Sequence, residues 1–454
     1  MYRPDPRLAD SGLLLHDAVT AADFPQTILR YRNDRAAASV GLEALSDADW
    51  IAHFGRFLPL PDNQPVPLAL RYHGHQFRHY NPDLGDGRGF LFAQMLDDRD
   101  RLLDLGTKGS GQTPWSRGGD GRLTLKGGVR EVLATAMLEA VGVPTSKSFS
   151  LIETGEDLMR GDEPSPTRSS VLVRLSHSHI RFGTFERLAY HGEAETMNDL
   201  VAFVVANYYP EVEGAAGLFD AVVARSARLA ARWMAAGFVH GVLNTDNMNM
   251  TGESFDYGPY RFLPRYEPGF TAAYFDHSGL YAYGRQPDAV LWNLGQLGRS
   301  LTLVCDSEPL VAALNSFAGA YETELNLAIC HRLNVRPHDD DRALVKALFA
   351  LLADLRHDGS FEQVVYDFFG GRLRGGRRYI GPAFDAFKAE LDTYDVANPD
   401  LLAHPRLAQA EPETLLIDEI ETIWAAIAGE DDWSLFHAKL AAIETYRQAL
   451  GLAT

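Results

Sequence analysis

The sequence predicts an α+β fold in two lobes: a smaller β-rich lobe, then a larger helical lobe with extra helices toward its C-terminal end. Three observations predict it. The chain has 454 residues, more than one hydrophobic core ordinarily holds. Between about residues 66 and 190, short apolar runs alternate with glycine-rich turns, the pattern of strands. From about residue 195, apolar positions recur at helical spacing instead. The expected divisions are an extension, 1–65, packing on the lobes, a small lobe, 66–190, and a helical lobe, 191–454.

Composition narrows the function. The chain is 46% hydrophobic and 23% charged, ordinary for a globular protein. A formal charge of −19 argues against a nucleic-acid binder, which needs a basic face. No run approaches eighteen apolar residues, and Met1 to Leu15 has no apolar signal core, so no membrane span and a cytoplasmic location are expected. Cys305 and Cys330 lack metal-ligand spacing and are expected as free core thiols.

In the extension, residues 36 to 50 read as helical, with Ser46 as a possible N-cap of a second short helix. The small lobe opens on Leu84-Gly85-Asp86-Gly87-Arg88-Gly89 before the strand residues Phe90 to Met95. Such a turn lets backbone N–H groups approach phosphates, and the Arg88 guanidinium can fork onto phosphate oxygens. A second strand, Leu102 to Lys108, ends in a lysine. After it Val129, Leu133, Met137 and Ala140 mark a helix closed by Gly142, with Glu131 placed in its first turn. A strand lysine paired with a helix glutamate is the device that holds nucleotide phosphates in kinases. The intervening loop, 110 to 122, carries Asp120 and Gly121 and is too polar for a core. Strands are expected at 146–153 and 171–175, separated by a charged loop. Arg174 and Arg181 have apolar neighbours and need a negative partner, either an internal carboxylate or a bound triphosphate.

In the helical lobe, Leu218, Val222, Leu229 and Trp233 share a helix face that Gly237 ends. Extended pieces are expected at 263–275 and 281–283. Helices are expected at 289–304, 309–333, 341–356, 413–428 and 432–451. The loop after Gly237 is the most informative stretch. His240 is followed seven positions on by Asn247, and Asp256-Tyr257-Gly258 comes after a short hairpin. That is the order of the kinase catalytic loop and metal-binding triplet, in which the Asn and the triplet Asp hold Mg²⁺. The kinase base position, two after the His, holds Val242, while a carboxylate has appeared at Asp246. The loop retains metal chemistry without the usual base, so it belongs either to an inactive kinase or to an enzyme with different chemistry on the same nucleotide.

These motifs resemble the selenoprotein O (SelO, YdiU-type) family, kinase-like pseudokinases that transfer AMP. The resemblance rests on His73-Gly74-His75-Gln76-Phe77, the 84–89 turn, Lys108-Gly109-Ser110-Gly111-Gln112-Thr113-Pro114, Ser116 to Arg122, Ser178 to Gly183, His240 to Met248, and Asp256-Tyr257-Gly258-Pro259. It implies a protein-kinase-like fold that binds ATP end for end, with the α-phosphorus presented to the acceptor. It also implies Asp246 as the base and Asn247 and Asp256 as ligands of Mg²⁺ or Mn²⁺. Gly85, Gly87, Arg88, Lys108, Asp120, Gly121, Arg174, Arg181 and Asp256 become nucleotide contacts, with Glu131 paired to Lys108. The expected reaction moves AMP from ATP to Ser, Thr or Tyr hydroxyls of acceptor proteins, by a monomer. A phosphotransferase, UMP transfer from UTP and a non-catalytic nucleotide-binding pseudokinase stand as alternatives. The segment Arg78 to Asp83 departs from the family pattern, and redox control through a Cys-selenocysteine tail is not expected.

Overall fold

The computed structural model describes residues 1–161, 163–355, 360–375 and 377–452. The small lobe is built on an eight-stranded antiparallel sheet. Its strands are β1 (His16–Ala18), β2 (Ile28–Arg32), β3 (Leu68–Leu70), β6 (Leu91–Leu96), β7 (Leu102–Lys108), β8 (Leu123–Thr124), β9 (Lys147–Leu158) and β10 (Thr167–Ser176). A separate hairpin supplies β4 (Gly74–Gln76) and β5 (His79–Asn81). The main order is β1-β3-β6-β7-β10-β9-β2, with β8 paired to β10. The first 65 residues therefore give the sheet both of its outer strands, through β1 on β3 and β2 on β9.

Side-chain alternation along the strands decides what each face holds. In β10, Val171, Val173 and Leu175 enter one apolar core with Trp50, Phe54, Phe90 and Phe149. Leu172 faces the other way, into the core that continues through the large lobe, and Arg174 shares that side. In β7, Leu103 and Leu105 join the first core and Leu102 the second, so Lys108 falls on the same side as Arg174.

The extension contributes α1 (Arg7–Asp10), α2 (Asp34–Ser39) and α3 (Asp47–Phe54). The helical stretch expected from 36 to 50 is two helices, with Gly41 between them in the left-handed region at φ +73°. Ser46 does cap α3, accepting from the Asp49 N–H. On the face of the sheet opposite α3 lies α4 (Leu125–Ala140), capped by Thr124, whose hydroxyl accepts from the Gly127 N–H. It begins earlier than its periodicity indicated. Glu131 thus sits in the second turn, away from the helix end where a dipole role applies.

The large lobe holds α5 (Phe182–His191), α6 (Ala194–Tyr208), α7 (Gly214–Ala235), α8 (Gln286–Leu301), α9 (Ser307–Arg332), α10 (Arg342–Asp354), α11 (Phe361–Asp367) and α12 (Pro382–Leu391). The chain ends in a hairpin of α13 (Ile417–Glu430) and α14 (Ser434–Leu450). The expected helix end at residue 356 lies outside the described residues. The extended pieces expected at 263–275 and 281–283 are not strands. A short pair, β11 (Phe238–Val239) with β12 (Arg261–Phe262), precedes them, and residues 283–285 form a 3-10 turn. Cys330 is buried, whereas Cys305 is only half-buried, and both are free. Among the described residues no helix is long and apolar enough to cross a membrane.

Candidate active site

A cleft of about 770 Å³ lies between the glycine turn, the 110–122 loop, β7, β10 and the 242–259 loops. It is the size of a nucleotide-scale ligand site. Its lining brings together all but one of the residues singled out in the sequence: Gly85, Gly87, Arg88, Lys108, Asp120, Gly121, Arg174, Arg181, Asp246, Asn247 and Asp256. The exception, Glu131, stands behind the wall as the buried partner of Lys108.

The cations are graded by depth. Arg88 and Arg117 are exposed, while Lys108, Arg174 and Arg181 are buried. Those three converge on one carboxylate. Asp256 Oδ1 pairs with Arg174 Nη1 and lies 3.1 Å from Lys108 Nζ. Asp256 Oδ2 accepts from Arg181 Nη1 at 2.9 Å. Burial alone raises the Asp256 pKa, but Arg174, Lys108 and Arg181 outweigh it and hold the carboxyl well below the usual range. The residue is itself left-handed, with φ +60°, a conformation Asp tolerates better than most side chains. Arg181 immediately precedes α5. It also donates to the Asp246 carbonyl at 2.8 Å and stacks over Tyr72 and Phe255.

Asp246 occupies a 3-10 turn, Thr245–Asn247. It is buried, and its Oδ1 has no hydrogen-bond partner. Burial pushes its pKa up to about 7; Asp256 and Glu186 push the same way and Arg181 opposes. The turn is braced from the small lobe by the β4–β5 hairpin: the His75 N–H donates to Thr245 Oγ1 at 2.7 Å and the Phe77 N–H to Asn244 Oδ1 at 3.1 Å. Behind it, the buried His240 ring bonds the Phe255 carbonyl at 2.9 Å, the contact of a brace between two loops.

The glycines serve close approach. Gly85 and Gly87 do not adopt positive φ. A Cβ on Gly85 would lie 2.4 Å from the Trp115 ring, and one on Gly87 would lie 2.8 Å from the Trp115 carbonyl oxygen. Gly121 does need φ +70°, and a Cβ there would strike the Gly111 carbonyl. Asp120 is exposed and carries an ion pair with Arg160 at 2.7 Å. Sequence reasoning missed Asp86, 3.4 Å from Arg181, and Trp115, whose Nε1 donates to Asp17 at 2.9 Å. Asp86 sits inside the 84–89 glycine turn, so its position was the available signal; Trp115 had none.

Asn247, Asp256 and Asp246 offer amide and carboxylate oxygens, the hard donors that Mg²⁺-class ions take. Asn247 Nδ2 donates to the Val242 carbonyl at 2.9 Å, leaving the amide oxygen as its acceptor. With the partnerless Asp246 Oδ1, this donor set fits such an ion. Among the described residues no three of His, Cys, Asp and Glu gather as a metal cage. A magnesium-type ion commonly draws its remaining ligands from substrate phosphates and water.

A two-lobed, kinase-like fold with a lysine–glutamate pair, a glycine turn and buried arginines defines a nucleotide-handling enzyme. The chain belongs to the SelO protein adenylyltransferase family, whose model, described as protein adenylyltransferase SelO, matches residues 2–370. Relatives named protein nucleotidyltransferase YdiU agree with this. That of Synechocystis sp. is 46% identical across 95% of this chain and 96% of its own. That of Gloeobacter violaceus is 45% identical across 95% and 93%. The family makes the chain an enzyme of the nucleotidyltransferase class.

Proposed function

We propose that this chain moves AMP from ATP to the hydroxyl side chains of acceptor proteins and releases pyrophosphate. The observation that carries this reading is the placement of charge. Buried cations, Lys108, Arg174 and Arg181, line the inner part of the cleft, where an adenine would need an apolar slot. A nucleotide seated with its β- and γ-phosphates on those cations presents its α-phosphorus toward Asp246.

In this mechanism the Asp246 carboxylate orients the acceptor hydroxyl and takes its proton. The acceptor oxygen forms the new bond to the α-phosphorus, and the bond from that phosphorus to the oxygen bridging the β-phosphate breaks. Lys108, Arg174, Arg181 and Arg88 stabilise the charge that develops on pyrophosphate. Glu131 holds Lys108 in place. When bound, a Mg²⁺ or Mn²⁺ ion on Asn247 and Asp256 neutralises phosphate charge. Asp246→Ala is expected to lower the rate by roughly 10²–10⁴, the range for a positioned base.

The test is incubation with acceptor protein and ATP labelled on either the α- or the γ-phosphate. Label from the α-position entering protein, absent with Asp246→Ala, supports the reading. Label from the γ-position entering protein makes the chain a phosphotransferase and overturns it.

A further inference from the structure

The α13–α14 hairpin lies beyond the residues matched by the family model, and nothing in the mechanism above uses it. It touches both lobes. At its bend, Asp431 pairs with Arg30 of β2 at 3.0 Å and Arg168 of β10 at 2.7 Å. Both arginines also hold Glu153 of β9. Arg30 stacks on Trp433 at 4.9 Å, and Phe436 meets Tyr31 edge-on at 6.2 Å. At the far end of α14, the buried Tyr446 hydroxyl donates to Glu362 of α11, which also pairs with Arg332 of α9.

Between these two anchors lies α4. Lys126 in its first turn pairs with Glu421 of α13 at 2.7 Å. Thr135, Ala136 and Glu139 of α4 face Leu440, Ile443 and Glu444 of α14 across a gap of about 290 Å³. Ile443 shares one apolar core with Val129, Val132 and Leu133 of α4. The helix so gripped carries Glu131, and Glu131 holds Lys108. In kinase-like enzymes this pair must be in place for phosphates to be held.

We propose that the C-terminal hairpin is a strap that sets the position of α4, and that Glu421, Asp431 and Ile443 are positioning residues for nucleotide binding. The strap ties the small-lobe sheet to the large lobe on the side of α4 away from the cleft. A shift of α13–α14 relocates Glu131 without touching any cleft residue. The proposal rests on Lys108 as a phosphate ligand but not on which phosphorus reacts.

The test measures the affinity of the full chain for α,β-methylene-ATP, with metal and acceptor protein omitted so that no transfer of either kind occurs, and hydrogen exchange of residues 125–140 is read in parallel. The variants are Glu421→Lys, Lys126→Glu, their double charge swap, and Ile443→Ala. Each single reversal sets like charges together at an exposed pair, a change too small to threaten folding. Expected are an affinity loss of about threefold to fivefold for each reversal, faster exchange in α4, and recovery to within about twofold in the swap. Ile443→Ala is expected to lose more. Unchanged affinity and α4 exchange in the folded reversals overturns the proposal, as does a swap that rescues nothing. Because binding is read without turnover, this outcome is independent of the labelled-ATP result.

Discussion

Replacing Asp246 by Asn is expected to stabilise the metal-free fold, and to do so more as pH rises. Burial lifts the folded pKa of this carboxyl from 3.8 to about 7. The sign follows from where each state ionises. Below the unfolded value both states are protonated and the full stability is present. As pH rises from there, the unfolded chain ionises first, and stability is lost until the folded carboxyl ionises too. Above about 7 the loss is complete and constant. A shift of about three units corresponds to about 4 kcal/mol. About 2 kcal/mol of this has gone by pH 5.5, and about 2 kcal/mol more goes by pH 8.5. Asn has nearly the same shape and no charge, so Asp246→Asn removes this dependence alone. The assay is urea unfolding of both proteins in chelator, without nucleotide, at the two pH values. Comparing wild type with variant cancels the other titrating groups. The variant should be more stable by about 2 kcal/mol at the lower pH and about 4 kcal/mol at the higher. A variant less stable at both, or a gap that does not widen, would refute the claim that this carboxylate is kept from water.

Other expectations follow from the same geometry. Gly85→Ala drives a Cβ into the Trp115 ring and must displace the 110–122 loop, so nucleotide KM should rise by about tenfold or more in steady-state kinetics while kcat changes less. Arg174→Met removes one of the two cations on Asp256 Oδ1 and leaves Lys108 at 3.1 Å. Mn²⁺ binding without nucleotide, followed by calorimetry, should therefore tighten even as transfer fails. Chelation should abolish transfer but leave the melting temperature unchanged, because protein cations already hold Asp256; a large drop in melting temperature would show that metal holds the fold.

Much of the site was legible because its chemistry is local in sequence. An arginine inside the apolar strand β10 and a lysine ending β7 stand out against their neighbours, and strand alternation carries both to one face. The periodicity of α4 made Glu131 readable as the lysine's partner, although the helix start was set by Thr124, a cap that apolar spacing does not register. Glycine spacing marked a close approach, yet not that Trp115 makes it, since the two meet only through tertiary folding. The helix α5 went unread because its large buried apolar residues, Phe182, Phe185 and Leu188, span too few turns for a periodic signal. The pieces 263–275 and 281–283 read as extended, whereas Tyr281 and Tyr283 are held by hydrogen bonds to Asn244 and to the Met234 carbonyl, contacts that local sequence does not register. The role of α13–α14 was hidden for a related reason: its contacts join residues some 300 to 400 positions apart.

The most direct test of the central claim is a structure of this chain with α,β-methylene-ATP and Mg²⁺. The account predicts the β- and γ-phosphates on Lys108, Arg174 and Arg181, with the α-phosphorus nearest Asp246. Adenine seated among those cations, with the γ-phosphate beside Asp246, would contradict it.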